Sequence, residues 1–191
     1  MRIEKSAGRT PVLSVLRQAT GELHRRLEER FDAVAALADP SRRAATIRRY
    51  QTFHRSADQA LSGILQEVEG LDYDRRRRAW QQGTLADPPI LPSAVFPEPV
   101  DKHEALGLFY VVEGSSLGGR IILRELQNRG ITDPELYLLD PYGAEAGAMW
   151  RSLVEVLARE GARGKESLAS MTRGALRGFD VAERILCGEL S

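Results

Sequence analysis

This 191-residue sequence has one cysteine, few lysines and no net charge. Cys187 is its one cysteine, which excludes a disulfide framework and a metal centre held by several thiolates. The 27 basic and 27 acidic residues give a formal net charge of zero. The chain therefore lacks the basic surplus with which nucleic-acid-binding proteins neutralise phosphates, and we expect no nucleic acid among its partners. Lys5, Lys102 and Lys165 are its lysines, and arginine supplies the other basic residues.

Long apolar runs and targeting signals are missing as well. No run of 18 apolar residues occurs, so we predict no membrane span. The N-terminal stretch "MRIEKSAGRTP" is charged and has no apolar core of the kind that signal peptides carry. We expect a cytoplasmic protein with a single domain over residues 1–191, in which residues 1–10 form a flexible lead-in.

Strand-like alternation is absent too, and apolar residues recur instead at intervals of three and four, which is typical of amphipathic helices. The pattern predicts helices in six places: "TPVLSVLRQATGELHRRLEERFD", residues 42–69, a short basic segment within 70–85, the chain from residue 101, and the stretches 144–160 and 165–190. Five prolines within residues 86–99 predict a crossover loop there. The fold class is all-α, with six to eight helices.

His24 is the first residue with a chemical signal, because it lies in the apolar stripe of the first helix. Glu28, one turn later, can accept the proton of one ring nitrogen and leave the other free, as in metal-ligating histidines. A histidine that is merely satisfied by a local hydrogen bond is the alternative. One histidine cannot build a zinc or di-iron site, and His54 and His103 show no pairing with it. A metal at His24 would have to bring most of its ligands, as haem does.

A cluster of glycines is the second signal. The stretch "YVVEGSSLGGRIILREL", residues 110–126, has helical periodicity but carries Gly114, Gly118 and Gly119 in its middle. Each interior glycine weakens a helix by about 1 kcal/mol relative to alanine. Without a Cβ the backbone can approach a flat ligand closely, although close helix packing or a kink is an alternative explanation. Together with His24, the cluster predicts two sides of a slot for a planar macrocycle.

The segments "ATGELHRRLE" around His24 and "YVVEGSSLGG" at residues 110–119 resemble the haem oxygenases, particularly the bacterial biliverdin-producing type associated with bacteriophytochromes. The similarity runs over roughly residues 11–187. It implies an all-α fold with haem between a proximal and a distal helix. It also implies an enzyme that cleaves haem with O₂ and electrons to biliverdin, carbon monoxide and ferrous iron. Haem would be both cofactor and substrate, a ferredoxin or a reductase would donate electrons, and a bacteriophytochrome is a candidate acceptor of biliverdin.

The resemblance also implies roles for individual residues. Cofactor-binding roles fall to His24, Arg17, Glu28, Tyr110, Gly119 and Arg151. Among these, His24 would be the proximal iron ligand and Glu28 its hydrogen-bond partner. Arg17 and, less closely, Arg151 stand where family cations pair with haem propionates. Tyr110 or Phe109 would lie near the haem edge.

Catalytic roles would fall to Gly114, Ser115 and Gly118 on the distal side, where O₂ binds. Ser115 departs from the family pattern, because many members carry an aspartate there that organises proton-delivering waters. Serine can hydrogen-bond a water but cannot be an anion. Either Ser115 and its waters suffice, or Glu113 or another group substitutes, or activity is reduced.

Three other functions remain as alternatives. A haem-binding carrier or sensor of the same fold, without turnover, would tolerate Ser115. A helical bundle could instead bind another small molecule or act as an interaction module. A di-metal bundle is the weakest alternative, because the sequence has no pair of Glu-x-x-His motifs.

Overall fold

The computed structural model describes residues 11–81 and 95–188, and within them the chain is helical with no strand. Its α-helices are α1 Pro11–Arg30, α2 Ala33–Ala38, α3 Pro40–Leu65, α4 Tyr73–Gln81, α5 Lys102–Asn128, α6 Ala146–Gly161 and α7 Lys165–Cys187. Two 3-10 helices, Pro134–Leu139 and Gly143–Glu145, connect α5 to α6. The predicted all-α class is therefore confirmed.

The sequence pattern did not predict helix α2. Its six residues, AVAALA, are uniformly apolar and too short to show a helical period. Asp32 caps it by accepting a hydrogen bond from the Ala35 backbone N–H at 2.9 Å. Asp39 then caps α3 by accepting a hydrogen bond from the Ser41 backbone N–H at 2.8 Å. Pro40 fills the first position of α3, where a missing N–H is harmless.

The predicted bounds of the other helices needed small corrections. Helix α3 covers residues 40–65 rather than 42–69, because the chain turns after Leu65 toward Gly70, whose φ is +77°. The predicted basic segment forms α4, but its face is not wholly exposed, since Arg76 is completely buried. The lead-in, residues 82–85 of the predicted basic segment and residues 86–94 of the predicted proline-rich loop lie outside the described residues. Residues 95–99 are non-helical, as predicted.

Helices α5 and α7 cross backbone to backbone at the centre of the fold. A Cβ on Gly107 would lie 1.9 Å from the Met171 carbonyl oxygen, and one on Gly174 would lie 2.1 Å from the Glu104 carbonyl oxygen. No side chain fits at either position, so glycine is required on both helices. This crossing fixes the axis of α5, the helix that carries the glycine cluster.

Helix α5 is also long and rich in apolar residues. Its length and composition would let it cross a membrane, with a mean hydropathy of 1.3 over its most apolar window, and half of that window is buried. The packing against α7 accounts for this apolar composition.

Candidate functional site

A cleft opens beside α1, α5 and α7 and holds about 880 Å³ of empty space, counting the solvent at its mouth. Most of its lining is apolar or aromatic: Leu27, Phe31, Ala33, Tyr50, Phe53, Val111, Ile122, Trp150, Phe179, Ala182 and Leu186. Seven of the predicted site residues line it too: His24, Glu28, Tyr110, Gly114, Ser115, Gly118 and Gly119. Arg17 and Arg151 are the predicted site residues that do not.

His24 lies at the mouth of this cleft rather than deep inside it. Its side chain is 58% exposed, and its Nδ1 atom is 3.4 Å from Oε2 of Glu28. The ring also makes an edge contact with Phe179, with 5.7 Å between the ring centroids. Since Glu28 and Phe179 hold the ring, Nε2 is the nitrogen that stays available to a ligand.

Gly114 and Gly118 give α5 an open surface toward the cleft. A Cβ on either residue would meet nothing within 4 Å outside the helix's own backbone. Gly119 also borders the cleft, but a Cβ there would lie 2.2 Å from the Leu139 carbonyl oxygen. The cluster therefore serves two purposes, since two glycines leave room for a ligand and the third admits a neighbouring backbone.

Ser115 lines the cleft between the two open glycines. Its hydroxyl donates to the Val112 carbonyl oxygen at 2.6 Å, which leaves the hydroxyl oxygen as an acceptor. Glu113, two residues before Ser115, is 2% exposed and does not line the cleft. Its carboxylate lies 2.8 Å from Nη1 of Arg76 and accepts a hydrogen bond from the Tyr142 hydroxyl at 2.5 Å. The structure therefore gives no support to Glu113 as a substitute for the aspartate.

Tyr110 lies at one side of the cleft and is 9% exposed. Burial raises the pKa of its hydroxyl, while Arg17 and a hydrogen bond with Thr20 oppose that shift. Arg17 is thus held beside a cleft residue although it is not part of the lining. Arg151 is exposed and follows Trp150, whose ring centroid is 6.0 Å from that of Tyr110.

Phe109, the alternative edge residue, faces away from the cleft. It is fully buried, and its ring centroid is 5.5 Å from that of Tyr73 and 5.8 Å from that of Trp80. It therefore belongs to the packing behind α5.

The sequence analysis did not predict the aromatic residues that form the walls of the cleft. Phe53, Trp150 and Phe179 come from three different helices, α3, α6 and α7. Each lies in an amphipathic pattern in which a core residue and a cleft residue look the same. No local signal could have separated them.

A metal site built from protein groups alone is not found among residues 11–81 and 95–188. No group of three or more His, Cys, Asp or Glu side chains there could hold an ion. A metal bound at His24 would have to carry its remaining ligands with it.

Comparisons with known proteins leave the family of this chain open. No protein-family model, no curated protein and no solved structure matches it. The function of the cleft is therefore inferred from its own residues.

Proposed function

We propose that this protein is a haem oxygenase that binds haem in the cleft through His24 and converts it with O₂ to biliverdin, carbon monoxide and ferrous iron. A ferredoxin or a reductase would supply the electrons, and a bacteriophytochrome could receive the biliverdin. The observation that carries the proposal is that His24 and the open glycines Gly114 and Gly118 line one cleft. A lone imidazole beside a side-chain-free stretch of helix suits a planar macrocycle.

The residues present fit haem well. A porphyrin supplies four nitrogen ligands, so one axial imidazole completes its attachment to the protein. Glu28 lies where it orients the ring of His24 and increases the basicity of the free nitrogen. The apolar and aromatic walls match the faces of the macrocycle, and Arg17 beside Tyr110 could pair with a propionate at its edge.

Bound haem would supply the iron that activates dioxygen and the ring carbon that is oxidised. The protein's part follows from the cleft. At Gly114 and Gly118 the α5 backbone can approach the ligand, and the absence of side chains leaves room for dioxygen. Ser115 can accept a hydrogen bond from a water, while its own hydrogen is committed to Val112. The aromatic walls keep bulk water away from the reacting face.

A haem carrier or sensor without turnover is the second candidate. Two observations favour it: Ser115 gives its hydroxyl hydrogen to its own helix, and Glu113 points to a buried ion pair. No carboxylate of α5 therefore reaches the cleft between the open glycines to anchor a proton-delivering water. Haem uptake alone would not separate the two functions.

Haem attachment is tested by titrating hemin into the purified protein and recording absorption spectra. We expect a one-to-one complex with the Soret band of histidine-ligated haem, lost in His24→Ala and restored by added imidazole. His103→Ala is the matched control, because the side chain of His103 lies beside Glu160, outside the cleft. An unchanged spectrum in His24→Ala would assign the ligand elsewhere.

Turnover is tested by adding ascorbate, or reduced ferredoxin, to the haem complex in air. Decay of the Soret band with growth of biliverdin absorption supports the enzyme. A stable ferrous complex supports the carrier or sensor. A protein that takes up no haem at all would instead bind another small molecule or act as an interaction module.

A further inference from the structure

Three contacts hold α5 from behind, along the same two turns that carry the open glycines. Oδ2 of Asp140 lies 3.2 Å from Nε of Arg120, and the Tyr142 hydroxyl donates to Glu113 at 2.5 Å. Between these contacts, the Leu139 carbonyl oxygen occupies the side-chain position of Gly119. We call Leu139, Asp140 and Tyr142 the clamp.

Arg76 fixes the Glu113 end of this arrangement. It is completely buried and lies 2.8 Å from Glu113. It also donates to the Leu71 carbonyl oxygen at 2.8 Å, and to the Met149 carbonyl oxygen and the Ser152 hydroxyl at 2.7 Å each. The carboxylate that receives Tyr142 is therefore tied to α4 and α6 and cannot follow a movement of α5 freely.

The clamp contacts α5 beside the open glycines rather than at them: Glu113 does not line the cleft, and Gly119 borders it. Glu113 and Gly119 flank Gly114 and Gly118 along the helix, so each open glycine is next to a residue that the clamp contacts. Glycines make this stretch easy to bend, and a ligand pressing on the open face would bend it. The clamp opposes that displacement.

We propose that Glu113 and Tyr142 are positioning residues, and that the clamp sets how closely the Gly114–Gly118 wall approaches the ligand in the cleft. The identity of that ligand rests on the haem function proposed above. A buried ion pair such as Arg76–Glu113 is often no more stabilising than apolar packing would be, whereas it fixes one geometry. If the pair positions α5, its location is explained, because Glu113 lies one residue before Gly114, the first open glycine.

The first test needs no haem. Amide hydrogen exchange is measured on the purified protein and on Tyr142→Phe, which removes one hydroxyl from the clamp. Exchange of the amides of residues 114–122 should rise about tenfold, the effect of losing a hydrogen bond to a charged group, while the α7 amides stay unchanged. Tyr137→Phe is the matched control, a tyrosine of the same connecting segment that does not contact Glu113.

Two outcomes would overturn the proposal. Exchange in residues 114–122 that equals that of Tyr137→Phe would mean that the clamp does not restrain the wall. A rise spread evenly over all helices would mean that Tyr142 contributes only to global stability.

The second test uses the haem complex. Tyr142→Phe should bind hemin within about twofold of the unaltered protein, while its affinity for cyanide on the ferric complex changes about fivefold or more. Unchanged cyanide affinity would overturn the proposed role toward the ligand. If the unaltered protein takes up no hemin, the haem function fails, and the exchange experiment still decides whether the clamp restrains α5.

Discussion

Gly118 and Gly119 are neighbours on α5, yet they meet opposite surroundings. The side-chain position of Gly118 is empty, whereas that of Gly119 is filled by the Leu139 carbonyl oxygen at 2.2 Å. Gly114 resembles the first, and Gly107, against Met171, resembles the second. The two faces of one helix thus use the same residue for different reasons. One face leaves space for a ligand, and the other lets neighbouring backbone approach.

Breaking the buried ion pair between Arg76 and Glu113 should have the largest effect on stability. Arg76→Met should lower the free energy of unfolding by about 3–5 kcal/mol, because it leaves the Glu113 carboxylate buried without a counter-ion. Chemical denaturation of the two proteins measures this change in the free energy of unfolding. The double variant Arg76→Met with Glu113→Leu should recover most of the loss, and a double variant as unstable as the single one would contradict the explanation.

Gly107→Ala tests the packed face directly. We expect it to lose about 3 kcal/mol of stability, because the new Cβ would lie 1.9 Å from the Met171 carbonyl oxygen and force α5 and α7 apart. Gly21→Ala is the control, a helical glycine with nothing within 4 Å of its side-chain position, and it should gain about 0.5–1 kcal/mol. Equal changes of thermal stability in the two variants would refute the close approach of α5 and α7 at Gly107.

The pH dependence of stability tests whether water is excluded from the surroundings of His54. His54 is 9% exposed, its ring centroid lies 5.5 Å from that of Phe53, and burial lowers its pKa to about 4. Between pH 6.5 and 4 the unfolded chain binds a proton at this residue and the folded chain does not, so stability falls as the pH falls. The loss should reach on the order of 3 kcal/mol by pH 4. His54→Phe should remove it, and identical pH profiles would show that water reaches His54.

Alanine substitutions at the adjacent Gly118 and Gly119 should have the smallest effects on stability, and these effects should be opposite in sign. Gly119→Ala should lose about 2 kcal/mol, because Leu139 must move. Gly118→Ala should gain about 0.5–1 kcal/mol, because alanine favours the helix and meets no neighbour. Thermal unfolding of the protein without ligand distinguishes them. The stabilised Gly118→Ala variant should bind hemin or its ligands more weakly, and stabilisation with unimpaired binding would argue against a ligand at this face.

Several site residues could be predicted because their signals are local. Glu28 lies one helical turn from His24, so their pairing at 3.4 Å follows from spacing alone. The open glycines Gly114 and Gly118 are likewise four residues apart and share a face. The walls from α3, α6 and α7 could not be predicted, because their positions depend on how distant helices pack.

Two features depend on residues that are distant in the chain. The sequence pattern indicated a short basic segment at α4, but Arg76 within it is buried because Glu113, 37 positions further along the chain, supplies a counter-ion. Gly119 was assigned to cofactor binding and Gly118 to the catalytic distal side, and both border the cleft, but Leu139 occupies the side-chain position of Gly119 alone. Both partners come from other segments of the chain.

The sequence by itself determined the longer helices and the one-turn pairing of His24 with Glu28, because these depend on residues at most a few positions apart. Tertiary structure alone decided which glycine faces a cleft, which arginine is buried and which aromatic rings form walls. Those outcomes depend on contacts between segments far apart in the chain, and helical periodicity marks which face of a helix is apolar without saying what that face meets.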